Sequence, residues 1–159
     1  MIAMPAAVLE AIRAHGREAY PEECCGGLLG EASGAGSSGG ERGRVPVRIV
    51  RAEPIPNASL EMRERRFAVD PRDYLRLERQ ADDLGLSLVG FYHSHPDHPA
   101  APSAYDREHA FPFLHYLILS VEHGRPEEAT SWVLSEDRQA FEREELFLER
   151  EGSSSVEGE

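Results

Sequence analysis

Between Leu86 and Asp106 the chain reads LSLVGFYHSHPDHPAAPSAYD. The apolar run Leu86-Ser87-Leu88-Val89 predicts a strand over Leu86–His95, and its near-continuous apolar start predicts burial on both faces. Side chains alternate along a strand, so His93 and His95 share one face and Ser94 takes the other. Two steps of strand rise put the imidazoles about 7 Å apart, close enough to converge on one ion. Pro96 is expected to stop the ladder and leave both rings at an open strand end. A Pro-rich loop follows, and a short helix is expected from Ser103. Asp106, eleven residues after His95, can then return as a third ligand.

Zinc accepts imidazole nitrogen and carboxylate oxygen, and two His with one Asp leave a fourth position for water. Such an ion lowers the pKa of water towards ~7 and polarises a carbonyl. The water still needs a base that is not itself a ligand. Glu22 and Glu23, at the start of a strand predicted over Glu23–Gly30, are both candidates. A developing oxyanion needs donors, and Ser103 would sit near the metal. Ser103-x-x-Asp106 also reads as a capping box with Asp in place of the usual Glu or Gln; a capped helix start is a rigid mount, so the two roles are compatible. His98, in the Pro-rich loop, and His109, three residues past Asp106, compete as ligands but fit surface or supporting roles better. His15, His115 and His123 show no partner in the sequence.

Outward from this stretch, Pro5–Tyr20 reads as a helix with Val8, Ile12 and Ala19 on one face and Pro5 in its first turn. Pro21 ends it. In ECCGGLLG, Gly26 and Gly27 signal a bulge or a close backbone approach. Glu31–Gly43 is Gly/Ser-rich and is expected to be a mobile hairpin loop. Val45, Val47 and Ile49 alternate within a strand over Arg44–Ile55. Phe67–Val69 is expected to be a short strand. Asp70 is a natural N-cap with Pro71 at the first helical position. Tyr74, Leu77, Ala81 and Leu84 form one helical stripe that Gly85 closes. Leu114–Val121 and Ala129–Leu134 read as strands, and Phe141–Leu148 fits either strand or helix. The order is mixed α/β, one domain over residues 1–150, with 151–159 expected to be a disordered acidic tail.

The totals narrow the function classes. With 159 residues, the chain can build one domain with a real core. Net charge is −12, and nine acids against three Arg from Glu136 to Glu159 supply −6 of it. Binding phosphates by counter-ion release needs cations, so nucleic acid and anionic membrane are poor partners. All 17 basic residues are Arg, leaving no lysine side chain to accept an isopeptide-linked modifier. The apolar run Phe111–Val121 is too short to span a bilayer, and Met1–Pro5 lacks the character of a secretion signal. A cytoplasmic location is therefore expected. Cys24 and Cys25 are neighbours, too close for ordinary disulfide geometry, and read as reduced, partly buried thiols. HExxH, CxxC, GxSxG and GxxxxGK[ST] are all absent.

A Glu in an early strand, then H-S-H-P, six residues, then S-x-x-D, resembles the JAMM (MPN-plus) zinc metallopeptidases, with matches at Glu23, His93, Ser94, His95, Pro96, Ser103 and Asp106. PEECCGGLLG, IPN at Ile55–Asn57 and FAVDPRDYL at Phe67–Leu75 look like the small stand-alone bacterial members, and the similarity spans roughly Met1–Ser135. The resemblance implies that His93, His95 and Asp106 bind one Zn2+ per chain. It implies Glu23, not Glu22, as general base, and Ser103 as a stabiliser of the oxyanion. The implied fold is cytidine-deaminase-like, a mixed β-sheet flanked by helices. The implied activity is hydrolysis of a peptide or isopeptide bond at the C-terminal Gly-Gly tail of a ubiquitin-like sulfur-carrier protein, for example releasing cysteine. Such a tail would lie beside an edge strand by backbone pairing, with Gly26 and Gly27 leaving room for it. The competing readings are a non-catalytic MPN-type binding module with a structural zinc and, last, a small-molecule hydrolase of deaminase type, which lacks the cysteine ligands. Oligomeric state is left open.

Overall fold

The structure is a computed structural model that describes residues 1–32, 46–137 and 139–150. Most of the expected Gly/Ser-rich loop, the strand start at Arg44 and Val45, and the tail at 151–159 lie outside the described residues. Eleven elements follow one another: β1 (Ile2–Pro5), α1 (Ala6–Ala19), β2 (Cys25–Ala32), β3 (Val47–Ile55), α2 (Pro71–Asp83), β4 (Ser87–Pro96), α3 (Ala104–His109), β5 (His115–Glu122), β6 (Arg125–Leu134), β7 (Phe141–Glu144) and β8 (Leu146–Glu149). The strands form one sheet in the order β7-β6-β5-β4-β2-β3-β1-β8. β4–β5, β1–β3 and β1–β8 pair in parallel and the rest antiparallel, so the sheet is mixed, as expected.

Alternation divides the core between the two faces of the sheet. Cys24, Tyr92, Leu117 and Leu119 pack with Leu9 and Ile12 of α1; Cys25, Phe91 and Tyr116 pack with Leu77 of α2. A layer of sheet between helices results. Helix α1 comes close to β5 because Gly16 has no side chain: a Cβ there would lie 3.0 Å from Leu119 Cδ2. Helix α2 begins as its sequence demands. The Asp70 carboxylate accepts the Arg72 N–H at 2.8 Å, and Pro71 occupies the first turn. It ends on Gly85 at φ +70, with the Leu86 N–H donating to the Ala81 carbonyl and the Gly85 N–H to Asp82.

Several expectations need correction. Pro5 is not in the first turn of α1; it ends β1, a four-residue strand that the sequence did not signal, and stands extended as the N-cap. The buried face of α1 is Leu9, Ile12 and Gly16, with Val8 and Ala19 at its margin. Phe67–Val69 belongs to no strand. Phe141–Leu148 is two strands, β7 and β8, on opposite edges of the sheet. In β4 it is the end, Gly90–Pro96, that is buried, and Pro96 still pairs with Val121 of β5. The chain turns one residue later, at Asp97 with φ +56, whose carboxylate accepts the His123 N–H and the Tyr20 hydroxyl, each at 2.7 Å.

The two glycines of β2 leave no room for a substrate tail. β2 lies between β3 and β4 and has no free edge. A Cβ on Gly26 would run into the Tyr92 ring and the Glu53 carbonyl, and one on Gly27 would lie 2.8 Å from Leu77 Cδ1. The close approach is therefore to the protein's own core, while the register shifts fall at Leu28–Gly30.

Candidate metal centre and active site

The end of β4 holds His93 and His95 on the face that α2 covers. Ser94 points the other way and fastens the strand end, because its Oγ accepts the Cys24 N–H at 2.8 Å and its own N–H donates to the Cys24 carbonyl at 3.1 Å. With Cys25 paired to His93, this bond brings Glu23 beside the second histidine. From the other side comes α3. Ser103 caps it, with Oγ accepting the Asp106 N–H at 3.0 Å, while Asp106 Oδ2 accepts the Ser103 N–H at 2.9 Å. The capping box expected from the sequence thus sets the carboxylate rigidly at the site. Ser103 itself is exposed.

Three atoms converge. His93 Nε2 and His95 Nε2 are 3.2 Å apart, and Asp106 Oδ2 is 3.3 Å from the first and 3.1 Å from the second. All three residues are buried. His95 Nδ1 lies 2.8 Å from the Pro99 carbonyl, which can only accept, so Nδ1 carries the proton and Nε2 keeps its lone pair for the cluster. Glu23 completes it: one ligand atom each from Glu23, His93 and His95 lies within 4.8 Å of the others. Glu23 Oε1 and His93 Nδ1 are buried without a hydrogen-bond partner. Electron-rich atoms packed this closely, with a carboxylate oxygen left unclaimed, suit a bound divalent cation, and the N/O donor set is one that zinc accepts.

The charges follow from burial and proximity. Burial pushes the Glu23 carboxyl up to about 8; the nearby His95 opposes the shift and Asp106 adds to it. Burial lowers the His93 pKa below the ordinary imidazole value. For His95 burial acts the same way, but the hydrogen bond and charge of Asp106, together with the Pro99 carbonyl, outweigh it and the net shift is upward. Burial would raise the Asp106 carboxyl; the electrostatic pull of His93, the close contacts with both imidazoles and the Ser103 N–H outweigh it and hold the group well below the carboxylate range.

The remaining candidates separate cleanly. Glu22 is exposed and lies 3.9 Å from Arg63, away from the cluster. His98 is exposed. His109 is exposed too, bonded to the Tyr105 carbonyl at 2.9 Å and stacked on the Tyr105 ring. His15 and His115 do have partners: His15 Nδ1 meets the Tyr92 hydroxyl at 2.8 Å, and His115 Nδ1 meets Glu144 at 2.7 Å.

Two contributors escaped the sequence reading. Phe67 stacks on His93, with ring centroids 4.3 Å apart. Asn57 ties the flanking loop together: Nδ2 donates to the Glu23 carbonyl at 3.2 Å and to the Arg66 carbonyl at 2.9 Å, while Oδ1 accepts from Ser59 and Ala68. The only sequence signal was the IPN and FAV strings themselves. Beside the cluster opens a cavity of about 650 Å³, lined by Phe67, Val69, Tyr74, Phe91, Tyr105 and Asp106 among others.

Comparison with known proteins identifies the family. Residues 5–135 match the prokaryotic homologs of the JAB domain. The chain belongs to that family. It is 32% identical over 124 residues to the desampylase of Haloferax volcanii, covering 75% of this chain and 80% of that one. It is 28% identical over 133 residues to the CysO-cysteine peptidase of Mycobacterium tuberculosis, covering 83% and 82%. Among solved structures, a Desulfitobacterium hafniense protein superposes with TM-score 0.78 at 33% identity, over 96% of each chain. A JAB1/MPN domain protein of Archaeoglobus fulgidus, at TM-score 0.55 and 16% identity over 93% and 98%, shares the fold. The expected family, fold and enzyme class therefore hold: the named relatives are a desampylase and a peptidase of JAB type.

Proposed function

We propose that the protein is a zinc-dependent peptidase that cuts the peptide or isopeptide bond at the C-terminal Gly-Gly tail of a ubiquitin-like sulfur-carrier protein. The observation that carries this reading is the meeting of His93 Nε2, His95 Nε2 and Asp106 Oδ2 within 3.3 Å of one another beside a buried Glu23 oxygen that nothing else claims. His93, His95 and Asp106 would hold one zinc ion. When bound, zinc supplies a Lewis acid that makes adjacent water nucleophilic near neutral pH and polarises the scissile carbonyl.

The chain's own residues do the rest. Glu23 takes the proton of the attacking water and returns one to the departing nitrogen. Ser103, whose Oγ already accepts the Asp106 N–H, keeps its hydroxyl proton for a developing oxyanion. Asn57 fixes the Glu23 backbone, and the Pro99 carbonyl fixes the His95 ring. An extended tail has a place to lie: among the described residues the backbone groups of Phe67 and Val69 find no hydrogen-bond partner, and both residues line the cavity that reaches Asp106. The competing reading, a binding module with structural zinc, would call for a fourth protein ligand; the exposure of His98 and His109 speaks against either filling that place.

Residues 1–150 would form the catalytic unit, with 151–159 outside it. A cytoplasmic setting is part of this reading, and among the described residues no helix is long and apolar enough to cross a membrane. The test is metal analysis together with hydrolysis of a CysO–cysteine adduct. Zinc-loaded wild type should release cysteine, and Glu23→Gln should keep the metal while kcat falls about 10²–10⁴-fold. Full turnover in Glu23→Gln would remove Glu23 as the base.

A further inference from the structure

Arg66 stands at the site in a way that catalysis as described above does not use. Its guanidinium carbon lies 4.8 Å from the centre of the Tyr105 ring, which carries His109 on a stack of its own at 3.9 Å. Tyr105 immediately precedes Asp106, and Phe67, which follows Arg66, stacks on His93. The arginine thus spans from the loop before α2 to the helix that brings Asp106. Its backbone is held at both ends, since the Arg66 N–H donates to the Met62 carbonyl at 2.9 Å and the Arg66 carbonyl accepts from Asn57 at 2.9 Å. In a chain with 29 acids, no carboxylate of the described residues pairs with this guanidinium. A guanidinium stacked on an aromatic ring, pre-positioned and without an acid of its own, is a receptor for a carboxylate: stacking fixes the plane and leaves the forked N–H edge to donate.

Its position says whose carboxylate. Phe67 and Val69 line the cavity and offer the unpaired backbone edge; Arg66, the chain neighbour of Phe67, does not line it but stands over the ring of Tyr105, which does line it and immediately precedes Asp106. If a tail lies along Val69 and Phe67 with its last glycine at the cluster, the residue beyond that glycine would continue towards Arg66.

We infer that Arg66 is a specificity-determining residue that binds the free α-carboxylate of a single amino acid leaving group, so that the protein prefers linear carrier–amino acid adducts over isopeptides and longer extensions. Hydrolysis puts the water oxygen on the glycine carbonyl carbon and a proton on the leaving nitrogen; the carboxylate on Arg66 is unchanged throughout. The inference rests on the hydrolase reading above.

The test uses the zinc-loaded full chain and CysO carrying one C-terminal cysteine, prepared as the free acid and as the carboxamide. Wild type should favour the free acid by about tenfold or more in kcat/KM, the worth of one charge-assisted contact. Arg66→Met, which keeps a long apolar stem against Tyr105, should bring that ratio to within about twofold by raising KM for the free acid. Arg66→Lys, with charge but no fork, should fall between. A wild-type ratio near one, or a ratio in Arg66→Met equal to that of wild type, overturns the inference and leaves Arg66 as a latch between loop and helix while the hydrolase reading stands. Failure of zinc-loaded wild type to cut either adduct overturns the hydrolase reading, and this inference with it.

Discussion

The Phe67 ring lies against the His93 ring, centroids 4.3 Å apart and planes 22° from parallel. His93 Nδ1 has no hydrogen-bond partner, so this stack and the Asp106 contact are what orient the imidazole. Removing the ring by Phe67→Ala should weaken zinc binding by about tenfold, the lower end of what supporting residues around a metal contribute. Competition with a chromogenic chelator measures it; Phe67→Tyr should bind zinc like wild type. Unchanged affinity in the alanine variant would assign the ring to the cavity wall alone.

Gly90 of β4 faces His115 of β5 in the parallel register, and a Cβ on it would overlap the His115 carbonyl. Backbone cannot retreat as a side-chain tip can. Gly90→Ala should therefore cost about 1–3 kcal/mol or more of unfolding free energy and disturb the strand that carries both histidines, lowering zinc content as well. Gly85→Ala is the control. Nothing lies within 4 Å of its Cβ, so only the φ of +70 opposes it, a cost of about 1 kcal/mol, and zinc content should stay intact. Urea melts and metal analysis of both variants separate the two effects.

Cys24 and Cys25 are buried side by side, and burial pushes their thiols up to about 11 and about 12. The thiolate is the reactive form. In the native protein at pH 8 neither should react with Ellman's reagent on a timescale of minutes, and both should react at once in guanidinium chloride. Rapid native labelling of either would contradict the burial described for this strand.

Burial lowers the pKa of His15, which packs edge-on against Tyr92 with its Nδ1 at the hydroxyl; Glu18 opposes the shift only in part. The folded value lies below the unfolded value of 6.5, so the folded state resists protonation. The stabilising contribution is complete above pH 6.5 and is lost as pH falls through the folded pKa. His15→Asn should lose less stability than wild type between pH 7.5 and pH 5. Chemical denaturation at the two pH values gives the comparison, and parallel losses would remove His15 from the acid response.

What was legible in the sequence was what short-range chemistry dictates. His93 and His95 share a face because a strand alternates. Asp70-Pro71 starts a helix and Gly85 ends one because caps act within a turn. Ser103 and Asp106 close a capping box three residues apart. Those local rules place each candidate ligand on a strand end or a helix start.

The three-dimensional fold decided everything that joins distant residues. β1 is four residues long and owes its existence to parallel partners at Val47 and Leu146, which no window of local sequence contains. Glu22 and Glu23 look alike in the chain; a bond from Cys24 to Ser94, 70 residues away, puts the second into the cluster and leaves the first in solvent. Gly26 and Gly27 read as room for a substrate until Tyr92 and Leu77 are seen to occupy it. His15 and His115 seemed solitary because their partners lie 77 and 29 residues along the chain. Periodicity and capping report which way a side chain faces; what it faces is settled only when the sheet is assembled.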